Sequence, residues 1–146
     1  MQYYQLEPEV AGGIGEHSVI DRSSGKVVVR KLHYEFDGWG GDELLESTPC
    51  FIVSERLARE IERAQLTGVS FDEVQVTTSD QFKVLYPNRQ IPKFIWLKVG
   101  GEAGRDDFGI APGLLLVVSK RAYDLLRTFG VSNALVTDFD GSADFR

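Results

Sequence analysis

Phe51-Ile52-Val53-Ser54-Glu55-Arg56-Leu57-Ala58, continued by Ile61 and Ala64, returns 65 residues later as Leu116-Val117-Val118-Ser119-Lys120-Arg121-Ala122-Tyr123, continued by Leu126 and Phe129. Ser54 falls on Ser119 and Arg56 on Arg121. Further on, Gly68-Val69-Ser70 recurs as Gly130-Val131-Ser132, and Val74 falls on Val136. In each copy a strand-like apolar run feeds a serine whose hydroxyl can cap a helix, and a glycine that enters the left-handed region cheaply closes it. The pattern predicts a single α/β (α+β) domain, a mixed β-sheet with a duplicated strand-helix-strand unit. The expected organisation is N-terminal strands over residues 1–49, a first repeat over 50–77 and a second over 114–138.

Outward from the repeat, Tyr3-Tyr4-Gln5-Leu6 reads as a first strand and the glycines at 12, 13 and 15 as a flexible loop. Ser23-Ser24-Gly25 makes a turn between Val19-Ile20 and Val27-Val28-Val29, and extended chain runs on to Phe36. In the first repeat, Leu57, Ile61 and Ala64 share a helical face, while Glu55/Arg59 and Arg56/Glu60 have the i,i+4 spacing of ion pairs. Thr78 and Gln81 have capping-box spacing before a short helix that stops ahead of Pro87. From Lys93 to Val99, Ile95, Leu97 and Val99 alternate with Phe94 and Trp96, so both faces of that strand should be covered. Residues 100–113 read as a charged, glycine-rich loop, and 140–146 as a frayed tail.

A chain of 146 residues can bury a substantial core, about 68–70% of its unfolded surface. Cys50 is the single cysteine, sits in an apolar run, and is expected to be a small buried hydrophobe in a reducing compartment. No apolar run approaches the roughly 20 residues of a membrane helix, and no secretory signal is visible at Met1-Gln2-Tyr3-Tyr4, so a cytoplasmic location is expected. The formal charge of -6 disfavours direct nucleic-acid binding and favours a basic protein as partner.

Catalytic and cofactor motifs are missing. His17 and His33 lack ligand spacing to a second histidine or cysteine, so neither a metal nor another cofactor is expected. The stretches beginning at Gly68 and Gly130 lack the closing glycine of a nucleophile elbow, and Gly12-Gly13-Ile14-Gly15 is not a dinucleotide fingerprint. Asp106 and Asp107 are adjacent, and turn or cap roles suit them better than acid/base chemistry. The exceptional stretch is Tyr34 to Ser54: Glu35, Asp37, Asp42, Glu43 and Glu46 without a lysine or arginine, and Trp39 between glycines. Two readings stay open there: a contact surface with a tryptophan anchor, or a solvated loop whose Trp39 folds back onto the sheet.

Ile52-Val53-Ser54-Glu55-Arg56-Leu57, Leu66-Thr67-Gly68-Val69-Ser70-Phe71 and Gly104-Arg105-Asp106-Asp107-Phe108 before Leu116-Val117-Val118-Ser119 carry a family resemblance. Over roughly residues 50–139 the chain resembles the immunity proteins of bacterial polymorphic toxin systems, the immunity protein 11 family. That resemblance implies a non-enzymatic cytoplasmic antitoxin that occludes a cognate toxin by direct binding, for which a basic nuclease-type effector would be a fitting partner. Lone Cys50 departs from related proteins with paired Cys-x-x-Cys-Gly motifs and argues against their zinc-bearing branch. The toxin contacts expected are Glu35, Asp37, Trp39, Asp42, Glu43 and Glu46, with Glu102, Asp106 and Asp107 as a second group. The rival readings are a small hydrolase-like enzyme using Asp106 and Asp107, and an interaction module unrelated to toxins.

Overall fold

A computed structural model describes residues 2–140, so all but one residue of the expected tail lies outside the described residues. The fold is mixed α+β, with strand the dominant element. One antiparallel sheet has the order β10 (Phe108–Ala111), β11 (Leu115–Ser119), β1 (Tyr3–Glu7), β12 (Leu135–Phe139). A second antiparallel sheet has the order β5 (Leu44–Ser47), β6 (Cys50–Ser54), β9 (Phe94–Val99), β7 (Val69–Asp72). In the third, β2 (Gly12–Ile14) and β3 (Val19–Asp21) pair antiparallel along successive stretches of β4 (Val28–Phe36), and β8 (Val74–Thr78) pairs with β4 in parallel. Helix α1 (Glu55–Arg63) follows β6, α2 (Asp80–Leu85) follows β8, and α3 (Lys120–Arg127) follows β11. None of these helices is long and apolar enough to cross a membrane.

The alternation read from the sequence sorts the side chains of β6 and β9 between two cores, and Tyr3, Ala111 and Val117 of the other antiparallel sheet form a third, smaller one. Phe51, Val53, Leu97, Leu116 and Val118 pack with Leu57, Ile61, Ala122 and Leu126 of the helices. Cys50, Ile52, Phe94 and Trp96 face the other way and meet Leu32, Tyr34 and Phe36 of β4. The sheet containing β6 and β9 is therefore covered on both sides, which explains its continuous apolar runs. Burial pushes the Cys50 thiol up to about 11, which keeps it protonated at neutral pH.

Strand order gives the two antiparallel sheets corresponding positions: β5 with β10, β6 with β11, β9 with β1, β7 with β12. Each pairs a hairpin with a helix that starts at a capping serine. Ser54 Oγ accepts from the Leu57 amide at 3.2 Å, and Ser119 Oγ from the Ala122 amide at 3.2 Å. The element boundaries differ from those expected. Both hairpins begin before the apolar runs, and residues 74–78 leave the first unit to join β4.

Other local expectations are corrected. Gly12 and Gly13 are in a strand, not a loop: a Cβ at Gly12 would lie 1.9 Å from the Glu35 carbonyl oxygen, so glycine permits the close approach to β4. Residues 100–113, expected as a loop, contain β10. The α2 cap is Ser79, whose hydroxyl accepts from the Phe82 amide at 3.1 Å, and not Thr78. Helix α1 ends with Gln65 in the left-handed region (φ 55) and the Leu66 amide bonded back to the Ile61 carbonyl, which turns Leu66 inward. The buried alanine of α1 is Ala58, while Ala64 is exposed. Of the two ion pairs expected on α1, Glu55–Arg59 forms at 3.4 Å, whereas Arg56 turns to Glu43 and Glu60 to Arg63.

Candidate partner-binding surface

The acids of the expected contact set divide into those committed inside the fold and those left facing solvent. Glu43 and Asp107 each precede the first strand of a hairpin, and the hairpin brings each opposite a helix-capping serine. Ser54 donates to Glu43 Oε1 at 2.5 Å, and Ser119 donates to Asp107 Oδ1 at 2.6 Å. An arginine two residues beyond each serine completes the clamp. Arg56 bonds both oxygens of Glu43, with Nε 2.8 Å from Oε1. Arg121 does the same to Asp107, with Nε to Oδ1 at 3.0 Å and Nη2 to Oδ2 at 2.8 Å. Asp107 also accepts from the Thr67 amide at 2.9 Å. Burial is the largest single influence on Asp107 and opposes ionisation, but Arg121, Ser119 and Thr67 together hold its carboxyl down at about 2. Glu43 is likewise held low: burial again opposes, and the bonds from Arg56 and Ser54 with the Arg56 charge outweigh it.

Asp42 is 1% exposed. Its carboxylate accepts from the Ser132 amide at 3.1 Å, the Asn133 amide at 2.7 Å and the Asn133 side chain at 2.9 Å, tying the chain ahead of β5 to the turn after α3. Asp42 and Asp107 are thus internal fasteners, not contact residues, because their acceptor positions are filled and enclosed. Asp106 closes a turn by accepting from the Glu102 amide at 2.7 Å, and Glu102 stays exposed beside Arg105 at 3.8 Å. An open hollow of about 650 Å³ borders Asp107, Arg121 and Lys120, yet both Asp107 oxygens point into the clamp. Asp107 is thus engaged by Arg121, Ser119 and Thr67, while Asp106 uses one oxygen to close its turn.

Trp39 folds back. Its ring meets Phe36 and Phe94 edge-on at centroid distances of 6.2 and 6.0 Å, and its Nε1–H donates to the Asp42 carbonyl at 2.9 Å. The Arg89 guanidinium covers it at 4.5 Å. Its uncovered part lines a cleft of about 280 Å³ whose charged residues are Arg56, Arg59 and Lys93 with Glu43 and Glu55, so the ring stands in a mixed-charge setting and not on a purely acidic surface.

Of the acids that remain, Asp37 and Glu46 lie by Tyr34 with Glu7 beside Glu46, whereas Glu35 shares the opposite face of β4 with His33. The Tyr34 hydroxyl accepts from the Ala11 amide and donates to the Glu46 carbonyl, both at 3.1 Å. Burial pushes this phenol up to about 12, with the charges of Glu9 and Asp37 adding to the effect. Glu46 is half-buried in β5 and its carboxyl is raised, first by burial and then by the charge of Glu7; the Thr48 hydroxyl, 3.1 Å away, only partly offsets this. Glu35 is half-buried on β4 and Asp37 is exposed just beyond it. Among the described residues, no ion pair reaches Glu7, Glu35, Asp37 or Glu46.

Sequence reasoning missed one polar pair. His17 and His33 stack with centroids 4.8 Å apart. The His17 amide donates to His33 Nδ1 at 3.1 Å, which leaves the proton on Nε2, 2.6 Å from Thr77 Oγ1. That tautomer donates to the Thr77 hydroxyl and does not draw its proton, so the pair is not a base and nucleophile. Their separation of 16 residues gave no signal, because β4 alone brings them together.

Compared with known proteins, the chain matches no family model and no curated sequence.

Proposed function

We propose that this chain is a cytoplasmic immunity protein that neutralises a cognate bacterial toxin by direct occlusion, and that it meets a basic toxin surface through Glu46, Asp37 and Glu7. The carrying observation is Glu46: a half-buried carboxylate beside Glu7, with no ion pair among the described residues, whose ionised form is disfavoured as it stands. An arriving lysine or arginine offsets both the desolvation of Glu46 and its repulsion from Glu7, so the site gains most from a partner that brings positive charge. The net charge of -6 extends the attraction beyond contact and steers a basic protein toward this face. The toxin as the particular partner rests on the resemblance of residues 50–139. In this reading Glu43, Asp42 and Asp107 hold the scaffold, Trp39 supports the acidic loop from beneath, and no catalytic step is required.

Co-expression with the product of the neighbouring gene tests the reading directly. Growth should be restored when that product is toxic, and the purified proteins should bind with an association rate that falls as salt rises. A non-toxic neighbour that still binds would make this an interaction module of another kind, and no binding at micromolar concentration would remove the proposal.

A further inference from the structure

β7 and β8 are joined through Glu73, but they part company there. β7 runs beside β9 with Asp72 opposite Trp96, while β8 swings away to pair with β4. The chain leading into β9, Ile91-Pro92-Lys93, faces β8 across an open groove of about 430 Å³. β8 uses one edge for β4, and among the described residues no backbone hydrogen bond joins its other edge to residues 89–93. An edge of this kind presents a row of unused N–H and C=O groups that can pair with an added strand. Five residues of β8 span about 17 Å, enough for an extended segment of similar length.

The groove's lining says what such a segment would carry. Val74, Val76 and Ile91 are partly buried and Phe94 is buried, which gives an apolar floor suited to alternate apolar side chains. The charged groups of this groove are Arg89 and Lys93, with no carboxylate among its walls. A continuous second hollow of about 610 Å³, sharing Val74, Lys93 and Phe94, adds Arg30 and Lys31 and only there Asp72 and Glu73. Arg30 is engaged by Asp21 at 2.7 Å, Asp72 faces Lys98 at 3.7 Å and Lys93 shares its charge with Glu55 at 3.5 Å. Among the described residues the cations next to β8 without an ion pair are therefore Arg89, which rests on Trp39, and Lys31, with Lys93 the one whose surface partner can be exchanged. In a chain of net charge -6, Arg89, Lys93 and Lys31 nonetheless set cations beside this edge.

We infer that the open edge of β8 receives an extended acidic segment of a partner protein as an added strand, its apolar residues on Val74, Val76 and Phe94 and its carboxylates toward Lys93 and Arg89. The surface is separate from the acidic face around Glu46, so it would serve a different segment or a different partner.

The test uses the full chain and a fluorescein-labelled synthetic heptapeptide alternating valine and aspartate, read by anisotropy. Saturable binding is expected, with slowed hydrogen exchange at β8 amides in the complex. Lys93→Glu should weaken binding at least tenfold, and so should methylation of alternate peptide amides, which removes main-chain donors without altering charge. Three results would each overturn the inference: no saturation at millimolar peptide, equal binding by the amide-methylated peptide, or equal binding by a valine-lysine peptide of the same length. Lys93 is exposed but pairs at the surface with Glu55 at 3.5 Å, so a melt of Lys93→Glu is run alongside, and a variant still folded at the assay temperature separates lost binding from lost fold.

Discussion

Asp107 and Arg121 face each other through two parallel hydrogen bonds, 3.0 and 2.8 Å long, and the same guanidinium donates to the carbonyls of Ala64 and Gln65 at 3.2 and 3.1 Å. Arg121 therefore joins the start of α3, the carboxylate ahead of β10 and the end of α1. The opposite ends of the two helices are joined by Arg56, which clamps Glu43 at the start of α1 and lies 5.1 Å over the ring of Phe129 beyond α3. Arg121 also sets its positive charge against the carbonyls at the end of α1. The Ser-x-Arg pattern repeated in sequence thus has a physical purpose: the serine caps its own helix, and the arginine reaches the end of the other.

The Asp107 clamp should be visible in acid stability. Its carboxyl sits at about 2 in the folded chain against an ordinary 3.8, so the unfolded chain binds more protons between those values. The stabilisation is complete above the ordinary value and is lost as pH falls through 3.8 toward about 2. Asp107→Asn should cost about 2 kcal/mol at pH 7 and little at pH 2. Urea melts at both pH values check this, and an equal loss at both would mean the charge of Asp107 contributes nothing.

His33 should give a second, higher window. Burial first, and then the neighbouring His17, depress its pKa below the usual 6.5, against the opposing charges of Glu35 and Glu16. The unfolded chain therefore takes up a proton that the folded chain resists. Stability is full above 6.5 and declines as pH falls below it, because a protonated Nδ1 cannot accept from the His17 amide. His33→Gln should flatten the melting temperature between pH 7 and pH 5 relative to the parent chain. An unchanged slope would place the titration elsewhere.

The parts of this fold legible in sequence are those where the local pattern and the tertiary environment agree. β6 and β9 are buried on both faces, so their apolar runs announced them, and Ser54 and Ser119 announced α1 and α3. β5 and β10 were hidden because Glu43 and Asp107 stand at their starts and read as surface charge. Their true partners, Arg56 and Arg121, are 13 and 14 residues away, and only the hairpins bring them near. β2 was hidden by its glycines, which serve close packing against β4 and not flexibility. Within the contact set, charge was legible but its destination was not: Asp42 is enclosed, Glu46 has no ion pair among the described residues, and Trp39 meets Arg89.

The helical core carries the largest single-residue effects. Leu57 and Leu126 are fully buried in it, and replacing either by alanine should cost about 2–5 kcal/mol through lost burial and a residual cavity. Leu135, on edge strand β12, is 64% exposed, so Leu135→Ala should change stability by about 0.5 kcal/mol or less. Chemical denaturation of the three variants decides it, and a comparable loss for Leu135 would mean that β12 is covered by something outside residues 2–140.

The functional proposal turns on separating acids that hold the fold from acids that meet a partner. Asp42→Ala removes the acceptor for Ser132 and Asn133 and leaves their donors unmatched, so it should lower the melting temperature and weaken toxin binding in proportion to the unfolded fraction. Glu46→Gln combined with Asp37→Asn should act in the opposite way. Glu46 has its carboxyl raised by burial and by Glu7, so removing its charge should raise stability slightly at neutral pH. The same double substitution should slow association and reduce its salt dependence, while Trp39→Ala should mainly loosen the loop supported by Phe36 and Phe94. Stopped-flow binding to the neighbouring gene's product at two salt concentrations, with melts of each variant, distinguishes the roles. An unaltered association rate for the Glu46 and Asp37 double variant, with full protection in co-expression, would move the interface away from Tyr34 and the acids beside it.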